Sequence, residues 1–239
     1  MSQKPVIGLY LELRSDGSVG DDARYPSFGR WIECIRRSGG IPTLIPPLDD
    51  ELDVGQQLDY LQGFVYVRQR DLGTPHAGWA ENVADEFVMA LVRQMAHRQL
   101  PFLGVGGGMQ VLNVAMGGST IRLDRLRPRV RHIHPHNPRH TVKFAADSLL
   151  ERIWGSEPML VTSAHEAVVG HVAPGFRPTA FAHDLSVEGI ESTDRSWFAV
   201  GVQFEPEPDA IADAGGLLVE ALLDEARVHE LELVAACYP

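Results

Sequence analysis

Cysteine is almost missing from this chain: Cys34 and Cys237 are the two in 239 residues. They cannot build a disulfide framework, and the expectation is a reduced, cytoplasmic protein. No apolar run approaches the roughly 20 residues that span a bilayer. The opening residues, Met1-Ser2-Gln3-Lys4-Pro5, lack the apolar stretch and cleavage site of a signal peptide, so no membrane partner is expected. Positive charge is scarce as well. Lys and Arg number 21 against 32 Asp and Glu, a formal net charge of -11, which argues against a general nucleic-acid binder, because such affinity rests on neutralising phosphates. Repeats, low-complexity tracts and linkers are also lacking, so one domain over residues 1–239 is expected. What remains is ordinary for a packed globular chain, 44% hydrophobic and 22% charged, compatible with a monomer or a homo-oligomer.

Short apolar runs alternate with amphipathic stretches. Residues 6–10, 43–47, 63–67 and 102–105 read as buried strands. Helices are expected over 28–38, 81–98 and 109–116, the second with Val83, Phe87, Val88, Leu91, Val92 and Met95 on one side. Gly39-Gly40 and Gly117-Gly118 close two of these helices. Strand, helix, strand, helix in this order implies a mostly parallel sheet covered on both faces. After residue 120 the pattern changes. Residues 141–144, 159–162, 179–182, 187–191 and 198–204 are strand-like and separated by turns, which suggests added antiparallel strands. A last helix, from about Pro208 to Leu223 or beyond, ends the pattern.

The segment Gly104-Val105-Gly106-Gly107-Gly108-Met109-Gln110 joins a predicted strand to a predicted helix. A glycine-flanked turn of this kind lifts its central side chain clear of the sheet, beside the positively polarised helix N-terminus, where a nucleophile is exposed and its anion stabilised. A plain strand–helix connection fits the glycines alone equally well. With Val111-Leu112-Asn113 following, however, the segment resembles the nucleophile elbow of class I glutamine amidotransferase-like proteins, in particular the branch of gamma-glutamyl hydrolases that includes gamma-glutamyl-gamma-aminobutyrate hydrolase. That branch reads Gly, apolar, Cys, any, Gly, any, Gln, and Gly106 stands where its cysteine belongs. Downstream, Gly201-Val202-Gln203-Phe204-Glu205-Pro206-Glu207 resembles the second signature, Gly-Val-Gln-(aromatic)-His-Pro-Glu. Gly39-Gly40-Ile41-Pro42 and Thr162-Ser163-Ala164-His165 fit the same branch. The resemblance covers nearly the whole chain. It implies an α/β, flavodoxin-like three-layer sandwich, its mostly parallel central sheet flanked by helices on both faces and extended by antiparallel strands in the C-terminal half.

The resemblance also implies a chemistry in which a cysteine thiolate attacks the gamma-glutamyl amide carbonyl, a histidine moves the proton and a glutamate orients the histidine. Here Gly106 replaces the cysteine, Glu205 replaces the histidine, and Glu207 matches an orienting acid with nothing to orient. The strand 61–67 leads to Arg68-Gln69, where the family has the Gly-Gly turn that helps hold the oxyanion. Three departures at one site predict a chain inactive in thiol-dependent hydrolysis, kept as a small-molecule-binding or regulatory protein. Its ligand is expected to be amino-acid-like or anionic, with no cofactor. The residues expected to line the pocket are Arg68, Gln69, Gln110, Arg131, His132 and His165. The alternative is a diverged hydrolase in which Glu205, Glu207 and His165 hold a metal ion or act as acid and base.

Six arginines lie between residues 122 and 139, and those at 125, 127, 129 and 131 alternate. They read either as a recognition surface for an anionic small molecule or as a loop neutralising the chain's own acids. His132, His134, His136 and His140 alternate in part, but Pro135 and Pro138 break the regularity and no cysteine joins them, which counts against a metal cluster. Cys34 falls on the core side of the first helix and is expected to be packing.

Overall fold

The computed structural model describes residues 3–10, 26–46, 51–68, 72, 79–123, 139–163, 165–206 and 213–237. Strand β1 (Val6–Tyr10) is followed by α1 (Pro26–Arg37), β2 (Ile41–Ile45), α2 (Glu51–Leu58), β3 (Gly63–Arg68), α3 (Trp79–His97), β4 (Phe102–Gly106) and α4 (Gly107–Ala115). Then come β5 (Ser119–Arg122), β6 (Arg139–Phe144), α5 (Leu149–Trp154), β7 (Met159–Thr162), β8 (Ala167–His171), β9 (Phe176–Ala182), β10 (Val187–Ser192), β11 (Ala199–Val202) and α6 (Ala214–Cys237).

Nine strands form one sheet in the order β2-β1-β3-β4-β11-β10-β9-β6-β7. The pairs from β2 through β11 are parallel and the rest antiparallel. β5 and β8 form a separate antiparallel pair. The expected mixed α/β architecture is therefore the observed one. Alternate residues along each strand face opposite ways, and each face has its own core. Ile7, Leu9, Val65, Leu103 and Val202 pack with residues of α1, α5 and α6, while Phe64, Tyr66 and Phe102 pack with residues of α2, α3 and α4. Cys34 lies in the first core, 2% exposed, and burial pushes its thiol up to about 11. It is packing, as the helix face implied. Among the described residues, no helix is long and apolar enough to cross a membrane.

Some boundaries differ from those the pattern predicts. α2, α5, β5 and β8 are additional elements, all short. The last helix is described from Ala214 and runs to Cys237, well into the stretch beyond Leu223 that the pattern left open. β11 is shorter than 198–204 because the chain leaves the ladder after Val202. Glu205 therefore lies beyond the strand, and its backbone N–H donates to the Thr162 carbonyl at the end of β7.

Candidate functional site

The C-terminal ends of the parallel strands meet the start of α4, and there the sheet sets out a row of residues. Arg68 ends β3 directly opposite Gly106 in register. Val202 pairs with Val105, which sets Gln203 level with Gly106 on the next strand. The Gln203 backbone N–H donates to the Glu188 carbonyl at 2.9 Å, extending the row to β10. Register shifts on both sides of Gly189 mark an irregularity beside Glu188, the kind of local break that re-aims a side chain at a site.

Gly106 is the N-cap of α4, with φ 62° and ψ -124°. L side chains rarely adopt such a φ, and glycine enters it freely. The turn is the sharp strand-to-helix elbow, and it carries no side chain. A Cβ built on Gly106 would run into the Arg68 carbonyl oxygen, well inside 3.0 Å. Gly108, two residues on, is pressed in the same way against the Tyr66 carbonyl. The start of α4 thus lies directly on the backbone of β3.

Behind the elbow lies a buried polar layer. Gln110 is 0% exposed. Its Oε1 accepts from the Leu72 N–H at 2.9 Å, and its Nε2 donates to Gln203 Oε1 at 3.0 Å and to the Ala167 carbonyl at 3.3 Å. His165 shares that carbonyl: its Nδ1 lies 2.9 Å from Ala167 O, and its Nε2 lies 3.5 Å from Glu188 Oε1. His140 Nε2 lies 3.7 Å from Glu188 Oε2, and its Nδ1 is 3.4 Å from Ser163 Oγ. Glu188 is itself 0% exposed. Burial alone would raise its pKa, but the imidazoles of His140 and His165 outweigh it and hold the carboxyl below the usual carboxylate range.

The structure thus brings together Gly106, Arg68, Gln110 and His165 of the expected pocket. Arg68 is buried at 2% exposure, and Glu205 is half-buried. Gln69, Arg131, His132 and Glu207 lie outside the described residues, as does most of the arginine-rich stretch. Among the described residues no group of three His, Cys, Asp or Glu is arranged to hold a metal. Sequence reasoning passed over Glu188 and Gln203 as site residues. The signal for Glu188 was present: a lone acid in the run Val187-Glu188-Gly189-Ile190 sits where acids are almost never buried without partners.

An α/β sheet with a tight glycine elbow between its central strand and a helix defines a class of proteins that work at the C-terminal ends of their strands. The Peptidase C26 family profile matches residues 5–207, and the chain belongs to that family. It is 29% identical to Protein NtpR of Enterococcus hirae over 220 residues, covering 85% of this chain and 91% of that protein. It is 27% identical to the gamma-glutamyl-gamma-aminobutyrate hydrolase of Escherichia coli O157:H7, covering 74% and 77%. The fold matches the glutaminase domain of Trypanosoma brucei CTPS with bound acivicin, with a TM-score of 0.70 at 14% identity over 93% and 94% of the two chains.

Proposed function

We propose that this Peptidase C26 member has lost thiol-dependent gamma-glutamyl amide hydrolysis and serves in the cytoplasm as a small-molecule-binding or regulatory protein. The reading rests on Gly106. The elbow keeps its backbone form without a nucleophile, and its space is closed by the Arg68 carbonyl, so even a restored side chain meets backbone. The ligand is amino-acid-like or anionic, a class supported by the gamma-glutamyl amide hydrolase among the relatives. No nucleic-acid or membrane partner and no cofactor is invoked, and self-association is compatible with the reading. The alternative, a diverged hydrolase using Glu205, Glu207 and His165, is weakened by His165, whose ring nitrogens face Ala167 O and Glu188.

The test is direct. Purified protein incubated with L-glutamine or gamma-glutamyl-p-nitroanilide is expected to release no ammonia or nitroaniline above the protein-free control. Gly106→Cys is expected to be equally silent. Turnover that co-purifies with the protein and disappears in Glu205→Ala overturns the reading. Saturable thermal stabilisation by L-glutamate or gamma-glutamyl-gamma-aminobutyrate, following mass action, supports the ligand class.

A further inference from the structure

At the pole of the sheet opposite Gly106, the last turns of α3 and α4 face the turn before β9 and the loop before β11. Between them lies a cleft of about 610 Å³, the size of a small-molecule pocket. One wall is aromatic. Phe176 and Trp197 meet edge to face, their ring centroids 5.8 Å apart and their planes at 86°. Met116 and Pro174 lie beside them.

The walls are held by bonds within the protein. Trp197 Nε1 donates to Leu100 O at 2.9 Å, which fixes the indole. Gly175 O accepts from the Thr193 N–H at 2.8 Å and from its hydroxyl at 3.0 Å. Those two bonds tie the turn before β9 to the loop after β10. A pocket already in shape saves a ligand the cost of ordering it.

The charge of the cleft comes from α3, where Arg93 and His97, one turn apart, both line it. Arg93 Nε donates to Ala115 O at 3.1 Å, which anchors the guanidinium at the end of α4. Among the described residues no carboxylate pairs with it. Capping α4 uses Nε alone, so the two terminal nitrogens remain as a fork that fits a carboxylate.

Helix carbonyl ends would otherwise draw a cation here, but these ends are closed. The Leu112, Asn113 and Val114 carbonyls accept from the N–H groups of Met116, Gly118 and Gly117, and Arg93 takes the fourth. In α3 the Gln94, Met95 and Ala96 carbonyls accept from Arg98, Leu100 and Gln99. Asp194 is the one acid of the lining, and its Oδ1 is drawn into its own loop by the Ser196 N–H at 2.9 Å and hydroxyl at 2.6 Å. A neighbouring cleft of about 660 Å³ is lined by three arginines and four carboxylates, a mixture that selects no sign.

We propose that the cleft between α3, α4 and the 192–197 loop is a second ligand site, for small carboxylates with a flat apolar body. The carboxylate sits on the Arg93 fork and the body lies against Phe176 and Trp197, where aromatic contact adds to burial. α4 begins at the elbow and ends at this cleft, nine residues or about 13 Å away, so the two sites are separate. The cleft stands whether or not the elbow takes a ligand.

Titration of the isotope-labelled full chain with 3-phenylpropionate, followed by amide NMR, tests it. Saturating shifts are expected with a dissociation constant of about 1 mM, clustered at residues 93–97, 115–117, 174–176 and 192–197. 3-Phenylpropanamide has the body without the charge and acetate the charge without the body. Each is expected to bind about tenfold more weakly or worse. Arg93→Met keeps the stem and loses the fork, with the same tenfold loss expected for 3-phenylpropionate. Should that variant not fold, the wild-type comparison of acid with amide decides. No saturation by about 20 mM, equal binding of the amide, unchanged affinity in folded Arg93→Met, or shifts centred on residues 104–110 overturns the proposal.

Discussion

Gly106 satisfies two separate requirements, a positive φ and the absence of a Cβ where β3 presses on the turn. Gly106→Ala should therefore be destabilised by about 1–3 kcal/mol, the usual cost of such a backbone with a side chain. Chemical denaturation measures this, and a midpoint and slope unchanged from the wild type would contradict it. The missing nucleophile was legible at this scale, because glycines at fixed spacing announce an elbow and one letter shows what it lacks. The closure of the elbow was not. It depends on a carbonyl of β3, 38 residues earlier, and a sequence carries no record of where a backbone oxygen points. Gln110 gives the same lesson. Its place in the motif was readable, whereas the partners of its amide come from residues 72, 167 and 203.

At the scale of elements, α5 shows how a helix too short for a periodic signal is held. Ser148 is its N-cap, 0% exposed, and its Oγ accepts from the Glu151 N–H at 3.0 Å. Glu151 Oε2 reaches back to the Asp147 N–H at 2.7 Å, just before the cap, so one orphan donor of the helix and the N–H preceding it are met locally. Ser148→Ala is expected to cost about 1 kcal/mol, seen as a lowered thermal midpoint; an unchanged midpoint would show that packing alone holds the helix. β1, β3 and β4 and helices α1, α3 and α4 were readable because each buries a stripe of apolar residues of its own, whereas β2, also read as an apolar run, leaves Ile41 and Leu44 exposed. β5 and β8 have no such stripe and exist by pairing with each other across a long stretch of chain. α2 carries Gly55 in its middle, which weakens its helical pattern.

In the whole molecule, acid stability should depend on Glu188. Its folded pKa lies below the ordinary value, so its contribution is present above the unfolded carboxylate pKa of about 4.3 and is lost as pH falls through the folded value. Glu188→Gln should lose about 3–5 kcal/mol near neutrality, as expected when one partner of a buried ion pair is removed. The gap to the wild type should narrow as pH drops through the carboxylate range; parallel stability curves would refute this. No sequence pattern joins residues 140, 165 and 188, because the antiparallel strands that carry them to one place pair far from their order in the chain. That order bears on synthesis as well. β11, drawn from residues 199–202, lies between β4 and β10, so the parallel and antiparallel halves are joined by nearly the last strand to be made. While the ribosome is still adding residues before 199, β4 and β10 each present an open edge, and such edges invite pairing with other chains. A nascent chain stalled there is a client for chaperones rather than a smaller version of the protein.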